Sequence, residues 1–295
     1  MEAGFLIIDK ESGWTSHDVV AKVRRHVGGK VGHAGTLDPM ATGLLVVAVG
    51  GATRLLRFVQ ASRKEYVATA MFGVATDSLD ADGSVLSRVP MPVSQSQVEE
   101  VLDRFRGEIF QVPPMVSARK VEGKRLYELA REGRVVEREA RAVTIDELEI
   151  TDFAPSDYPE VSFRIVCSTG TYVRTLGDDI ARALGGRAHL TSLRRTRNGQ
   201  LDVADSVQIA DLVEAADDGR IDDLVVGASE ALGALIPVTV DDSGAFRVSN
   251  GRPIAYHHDT GVEDHAFVRV LDDAGSLVAV YRRAGEQLLP EVVLA

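Results

Sequence analysis

The chain has 295 residues, 45% hydrophobic and 26% charged, a globular composition long enough for one large domain and a small one. No apolar run approaches the roughly 18 residues of a membrane-spanning helix, the opening MEAGFLIIDKESG lacks the basic and long apolar regions of a secretory signal, and the lone Cys167 excludes an internal disulfide and a CxxC metal site, which fits a reducing cytoplasm. The formal charge of −11 argues against a polyanionic partner until it is divided: residues 1–199 hold 27 Lys+Arg and 26 Asp+Glu, net +1, and residues 200–295 hold 6 and 18, net −12, which together restore the totals of 33 and 44.

In chain order, FLIIDK (5–10) is a short apolar strand. A helix follows, capped by Thr15 or Ser16, with Val19, Val20, Val23 and Val27 on one face. KVGHAGTLDPMATG, with three glycines and Pro39, is a loop of forced turns, and LLVVAVG (44–50) is a buried strand. KEYVATAMFGV (64–74) is a further strand, DSLDADGSVL (77–86) a turn whose acids are expected at the surface, and SQSQVEEVLDRFRG (94–107) a helix capped by its serine. Residues 110–143 hold a double proline, eight basic residues and a short amphipathic helix, RLYELAREG. VSFRIVCSTGTYVRTLGDDIARALG (161–185) is strand, tight turn, helix, and DSVQIADLVEAADDG (205–219) is helical. Gly233 to Pro237 marks a boundary, beyond which short strands joined by Asp-Gly or Asp-Ser-Gly turns form a β-rich module. The mixture without a repeating βαβ period predicts an α+β fold. KVRRHVGGK (22–30), RLLRFVQASRK (54–64) and RAHLTSLRRTR (187–197) are basic clusters: solvated helix faces, or footprints for a polyanion.

The chemistry narrows by elimination. The seven histidines have no metal-ligand spacing, no GxSxG elbow serves a serine nucleophile, and no GxxxxGK[ST] loop holds phosphate. A glycosidase would need a second carboxylate, for which only Asp77, Asp80 and Asp82 offer themselves. What remains is one carboxylate, Asp38, acting as nucleophile or base and oriented by a cation from elsewhere. Arg174, two residues from Tyr172 on a strand-like segment, is a candidate cation, and Tyr66 in KEYV is a candidate ring for a nucleobase to stack on.

GHAGTLDPMATGLL resembles the catalytic motif of the TruB family of pseudouridine synthases. FLIIDKESGWTSHDVV resembles that family's opening, RKEYVATAMFGVATDSLDADG its tyrosine strand and acidic turn, VPPMVSARKVEGKRLYELAREG its RNA-gripping insertion, and STGTYVRTLGDDIARALGGRAHLTSLRRTRNG its arginine and leucine motifs. The resemblance covers residues 4–200 in order; the last sixty resemble a reduced PUA-like module more weakly. It implies a mixed or antiparallel central sheet flanked by helices in a catalytic domain at 1–235, with an insertion at about 110–143, and a PUA-like domain at 236–295. It implies a stand-alone enzyme, with no cofactor, metal, membrane or obligatory protein partner, that acts in the cytoplasm as a monomer on the T-loop uridine of tRNA. Asp38 matches the catalytic aspartate, Tyr66 the tyrosine packing on the target base and Arg174 the arginine paired with the aspartate. His33 matches the residue that fills the place of the flipped base, and Asp80 an acid contacting the extruded nucleotide. Leu193 and Tyr172 match pocket residues, and Lys64, Lys120, Lys124 and Arg125 are expected to bind RNA. The competing readings are an RNA-folding factor with an incidental loop and a guide-RNA-dependent synthase of the dyskerin type.

Overall fold

The computed structural model describes residues 3–114, 138–256 and 261–294, together with the backbone of 120–121 and 124–125. The strands are β1 (Gly4–Lys10), β2 (Val31–His33), β3 (Thr42–Val49), β4 (Lys64–Phe72), β5 (Val74–Thr76), β6 (Val85–Arg88), β7 (Gly107–Gln111), β8 (Lys120–Val121), β9 (Lys124–Arg125), β10 (Arg141–Ala154), β11 (Glu160–Cys167), β12 (Ala188–Asn198), β13 (Leu201–Asp202) and β14 (Val225–Val226), followed by β15 (Ile236–Thr239), β16 (Ile254–Ala255), β17 (Phe267–Leu271), β18 (Leu277–Ala284) and β19 (Gln287–Val293). The main sheet runs β14-β1-β3-β12-β4-β11-β10-β7. Its neighbours are antiparallel except β3 and β12, which run parallel through Arg194↔Thr42 and Arg195↔Gly43. The fold is α+β, as the sequence predicts.

One face of this sheet is covered by helices. Ser16–Val27 presents Val19, Val20 and Val23, Val173–Ala183 presents Leu176 and Ile180, and Ile209–Asp217 presents Leu212; all pack with Ala68, Ala70 and Phe72 of β4. On the other face, β1 and β3 are buried again, by Phe5, Ile7, Leu44, Val46 and Ala48 against Phe58, Val280 and Val292. Double burial explains why both strands are continuous apolar runs. From β4 outward the second face is polar instead: Glu65 pairs with Arg164 at 2.8 Å, and Thr69 meets Ser162. β15-β17-β18-β19-β16 form a separate five-stranded sheet that docks through Phe58–Phe267, ring centroids 5.1 Å apart, and Arg57–Glu291 at 2.6 Å.

Several local expectations are corrected. RAHLTSLRRTR is no helix face; it lies in the centre of the sheet as β12, and Arg195 within it is 1% exposed. The Asp-Ser-Gly of 242–244 starts a helix, Asp242–Ser249, rather than turning a hairpin, because the Asp241 carboxylate accepts from the Gly244 amide at 2.7 Å and caps it. Tyr172 and Arg174 do not share a strand face: Tyr172 is the extended cap residue of Val173–Ala183, and Arg174 lies in its first turn. RLYELAREG lies outside the described residues except for Arg125, whose backbone belongs to β9 and not to the expected helix.

The parallel β3–β12 contact depends on Gly43. A Cβ there would stand 2.3 Å from the Arg195 carbonyl oxygen, and its φ of +95° is itself unfavourable for a side chain. Gly43→Ala is therefore expected to cost more stability than Gly185→Ala, whose φ is +85° with nothing within 4 Å of its Cβ. The latter change should cost only the about 1–2 kcal/mol of a left-handed side chain. Thermal unfolding of both variants checks this; equal losses would show that the close approach relaxes freely.

Candidate active site

The Asp38 loop is held by the segment that precedes the first helix. Ser16, buried, accepts from the Leu37 amide at 2.9 Å and donates to the Leu37 carbonyl at 3.1 Å. The Pro39 carbonyl accepts from the Gly13 amide at 2.9 Å and from the Lys10 ammonium at 3.2 Å. Ser12 donates to the Met40 carbonyl. Residues on both sides of Asp38 are thus fixed by residues 10–16, so the carboxylate has little freedom left to lose on binding. Lys10 is fully buried, its other acceptors being the carbonyls of Glu11 and Trp14, and burial lowers its pKa to about 8.

Arg174 meets Asp38 side-on, Nε–Oδ2 at 2.9 Å and NH2–Oδ1 at 3.1 Å. This two-pronged pairing fixes orientation as well as distance. The other edge of the guanidinium, through NH1, donates to the Asp80 carboxylate at 2.9 Å and to the Ser78 carbonyl at 2.6 Å. For Ser78 and Asp80 both to reach one nitrogen, the chain must reverse between them. Leu79 does this at φ +63°, one of two non-glycine residues with positive φ among those described. Asp80 is 4% exposed, contrary to the surface position expected of that turn, while Asp77 and Asp82 are exposed. In this conformation Asp80 stands behind Arg174 and outside the lining of the cleft.

The cleft holds about 250 Å³ and is lined by Asp38, Lys64, Tyr66, Leu193 and Arg195 together with residues 35–37 and 168–174. That is below the about 300 Å³ where drug-sized pockets begin, a space for a base and its sugar. β4 alternates, so Lys64, Tyr66 and Ala68 point to the same side, and Leu193 and Arg195 stand opposite Ala68 and Tyr66 across the ladder. Burial raises the Tyr66 pKa, keeping it a neutral phenol that bonds to Arg195. Asp38 is one-third exposed at the cleft floor. Burial pushes its pKa above the usual carboxylate range, and the Arg174 charge works against that push while Asp80 adds to it.

His33 is placed apart from the cleft lining. Its ring meets His17 edge-on at 5.7 Å, and burial lowers its pKa, so it is held neutral. Lys120 and Arg125 are backbone register partners in the β8–β9 pair, as are Val121 and Lys124. Among the described residues no group of three or more His, Cys, Asp or Glu is arranged to hold a metal, and no helix is long and apolar enough to cross a membrane.

Two site residues escaped the sequence reading. Arg195 donates to the Leu44 carbonyl at 2.7 Å and the Gly35 carbonyl at 3.2 Å, joining both ends of the Asp38 loop to β12. The signal was period two: Leu193 and Arg195 share a face. Gln111, 2% exposed at the end of β7, accepts from the Tyr172 amide at 3.0 Å and donates to its carbonyl at 3.4 Å, fixing the start of the helix that carries Arg174. Nothing in its sequence context marks it.

Comparison with known proteins fits this geometry. The family model described as TruB family pseudouridylate synthase, N-terminal domain, matches residues 22–173, and that of the tRNA pseudouridylate synthase B C-terminal domain matches 174–233. The chain belongs to the TruB family. It is 42% identical over 284 residues to a tRNA pseudouridine synthase B of Geobacter sulfurreducens, covering 94% of this chain and 92% of that one. It is 46% identical over 263 residues to that of Thermobifida fusca, covering 86% and 87%. Among solved structures, a chain of an H/ACA RNP bound to a substrate RNA containing 2'-deoxyuridine superposes with a TM-score of 0.76 at 25% identity, covering 99% of this chain and 85% of that one. A chain of an archaeal box H/ACA sRNP complex superposes at 0.74 with 26% identity, covering 98% and 85%. The chain is a pseudouridine synthase, an isomerase.

If Asp38 must be ionised to act, activity falls as pH drops through its pKa, and the acid limb lies above the about 3.9 of an ordinary aspartate. Arg174→Ala removes the charge that opposes the rise, so the limb should move to higher pH as the maximum rate falls. A pH–rate profile of pseudouridine formation tests this. A lower rate with the limb unmoved would show that Arg174 does not act through Asp38.

Proposed function

We propose that this chain converts the T-loop uridine of tRNA, position 55, to pseudouridine, acting alone as a cytoplasmic monomer without a cofactor. The observation that carries the reading is a single carboxylate, Asp38, gripped by Arg174 and facing Tyr66 across a cleft sized for one nucleoside. The uridine must be extruded to enter it, at a cost of a few kcal/mol that stacking on an aromatic ring helps to offset. Tyr66 supplies that ring, and Leu193 and Tyr172 wall the pocket. His33 fills the place the base leaves.

The N1–C1′ bond then breaks, the uracil turns, and C5 joins C1′. C5 loses a proton and N1 gains one, so the reaction needs no oxidant, water or energy source. Asp38 serves as nucleophile, toward base or sugar, or as the base that forms a glycal. Residues 1–235 form the catalytic domain in this reading, and 236–295 a reduced PUA-like module. Lys120, Lys124 and Arg125 grip the RNA backbone within the insertion at about 110–143, and Asp80 contributes to the nucleotide site through Arg174. A guide-RNA-dependent reading is disfavoured, because the named tRNA enzymes match at 42% and 46% identity, the ribonucleoprotein chains at 25% and 26%.

Asp38→Asn keeps the shape and removes the charge. The variant should fold, bind tRNA with unchanged affinity and form no pseudouridine, as mapped on an unmodified transcript incubated with the protein alone. Product from this variant, with deamidation excluded by mass spectrometry, would sink the assignment. Tyr66→Phe should keep affinity, because the ring remains, and lose turnover if the hydroxyl moves the C5 proton; normal turnover would deny it that role. Charge reversal at Lys120, Lys124 and Arg125 should flatten the salt dependence of tRNA binding, by about 0.7–0.9 in slope per lost phosphate contact. An unchanged slope would leave them without a part in binding.

A further inference from the structure

Two cations in the cleft wall have no counter-ion among the described residues. Arg195 is 1% exposed and Lys64 is 4% exposed. Among the described residues no carboxylate lies within 4.0 Å of either. Arg195 is solvated by the carbonyls of Leu44 and Gly35 and by the Tyr66 hydroxyl, and Lys64 by the carbonyls of Gln60 and Ser62. Asp38 and Asp80 are already engaged with Arg174. The neighbouring Cys167 offers nothing, since burial raises its thiol pKa to about 11 and keeps it neutral. A buried, unneutralised cation is normally destabilising, and two together are more so. The strain shows in Lys64, whose pKa falls to about 8 through burial and the Arg195 charge.

Both cations flank the ring assigned to the base. Lys64 is two residues before Tyr66 on the same face of β4, and Arg195 stands opposite Tyr66 on β12. Lys64 has three N–H donors and Arg195 five, so each retains capacity beyond the carbonyls it already serves. We infer that Lys64 and Arg195 form an anion subsite that receives the negative charge of the uracil when it leaves C1′. This rests on the function proposed above and extends it.

The charge balance is direct. When N1–C1′ breaks heterolytically, the bonding pair stays with uracil, giving an anion spread over N1, O2 and O4. C1′ is satisfied by a bond to the Asp38 carboxylate or by loss of the C2′ proton to it. When C5 attacks C1′, the negative charge passes back to the leaving carboxylate or is quenched by return of the proton, and the later C5-to-N1 proton shift leaves uracil neutral. Lys64 and Arg195 stay protonated throughout. No acid among the described residues compensates their positive charge in the free enzyme, and the detached base does so while it exists, which is the differential binding that lowers a barrier. A backbone phosphate is a poorer occupant, because both groups lie at the wall of a cleft sized for the base, almost wholly out of solvent.

The test uses a T-arm hairpin with 5-fluorouridine at the target position, bound to the Asp38→Asn protein so that nothing turns over. Deprotonation at N3 gives an anion that shares O2 and O4 with the proposed intermediate, and the fluorine resonance follows it with pH. The midpoint should fall below that of the free hairpin, and adding Lys64→Gln should return it toward the free value while the hairpin still binds. Arg195→Lys, which keeps the charge, should retain most of the shift. In the otherwise wild-type enzyme, Lys64→Gln should lower kcat roughly 10²-fold, as loss of one anion-stabilising donor does, with KM unchanged. A midpoint equal to or above the free value, or one that Lys64→Gln leaves alone, overturns the inference. So does a Lys64→Gln variant that only flattens the salt dependence of binding, which would make Lys64 a phosphate contact. A hairpin that does not bind the Asp38→Asn protein at all overturns the proposed function, and this inference with it.

Discussion

The guanidinium of Arg174, 3% exposed and clasped between two carboxylates, is the constraint around which the site is arranged. Replacing a buried ion pair by apolar groups rarely costs stability, but leaving one partner alone is expensive. The pair is therefore better understood as a positioning device. It obliges the chain to reverse at Leu79, to bring Asp80 out of solvent, and to start the Val173–Ala183 helix where Gln111 holds Tyr172. The Asp38 loop meets this fixed cation from the other side, itself fastened by Ser16, Gly13 and Lys10.

A second pattern joins Lys10, Lys64 and Arg195. Each is buried, and each is solvated by backbone carbonyls instead of acids. Carbonyl dipoles satisfy the N–H donors without cancelling the charge. Local hydrogen bonding is thereby met without a directly paired acid, although at Asp38 burial outweighs the pull of the nearby cations. An acid in place of any of these carbonyls would cancel one of those charges.

What the sequence disclosed follows periodicity and capping. β1, β3 and β4 were legible because their apolar runs are short and bounded, and the Ser16–Val27 and Gln95–Leu102 helices because Thr15 and Ser94 form capping boxes. β10 was not, since shifts in register at Ile145/Glu147 and Ile150/Asp152 break its alternation. β12 was hidden by its arginines, which suggest solvent although Arg195 points inward. Asp38, Tyr66 and Arg174 were found by elimination and by resemblance, and the structure brings them together. The burial of Asp80 was hidden by its Asp/Gly-rich surroundings, and the clamp made by Gln111 depends on a partner 61 residues away.

That separation has a consequence for biosynthesis. The cradle around Asp38 is local: Ser16 and Leu37 are 21 residues apart, and Lys10 and Pro39 are 29. The cations that complete the site arrive much later, Arg174 at a separation of 136 from Asp38 and Arg195 at 151 from Leu44. A chain emerging from the ribosome can set the carboxylate early, since short closures are made first. It cannot assemble the site until most of the main sheet, including the central strand β12, has been synthesised. A nascent or truncated chain ending before residue 188 would therefore present a formed loop and no reactive centre.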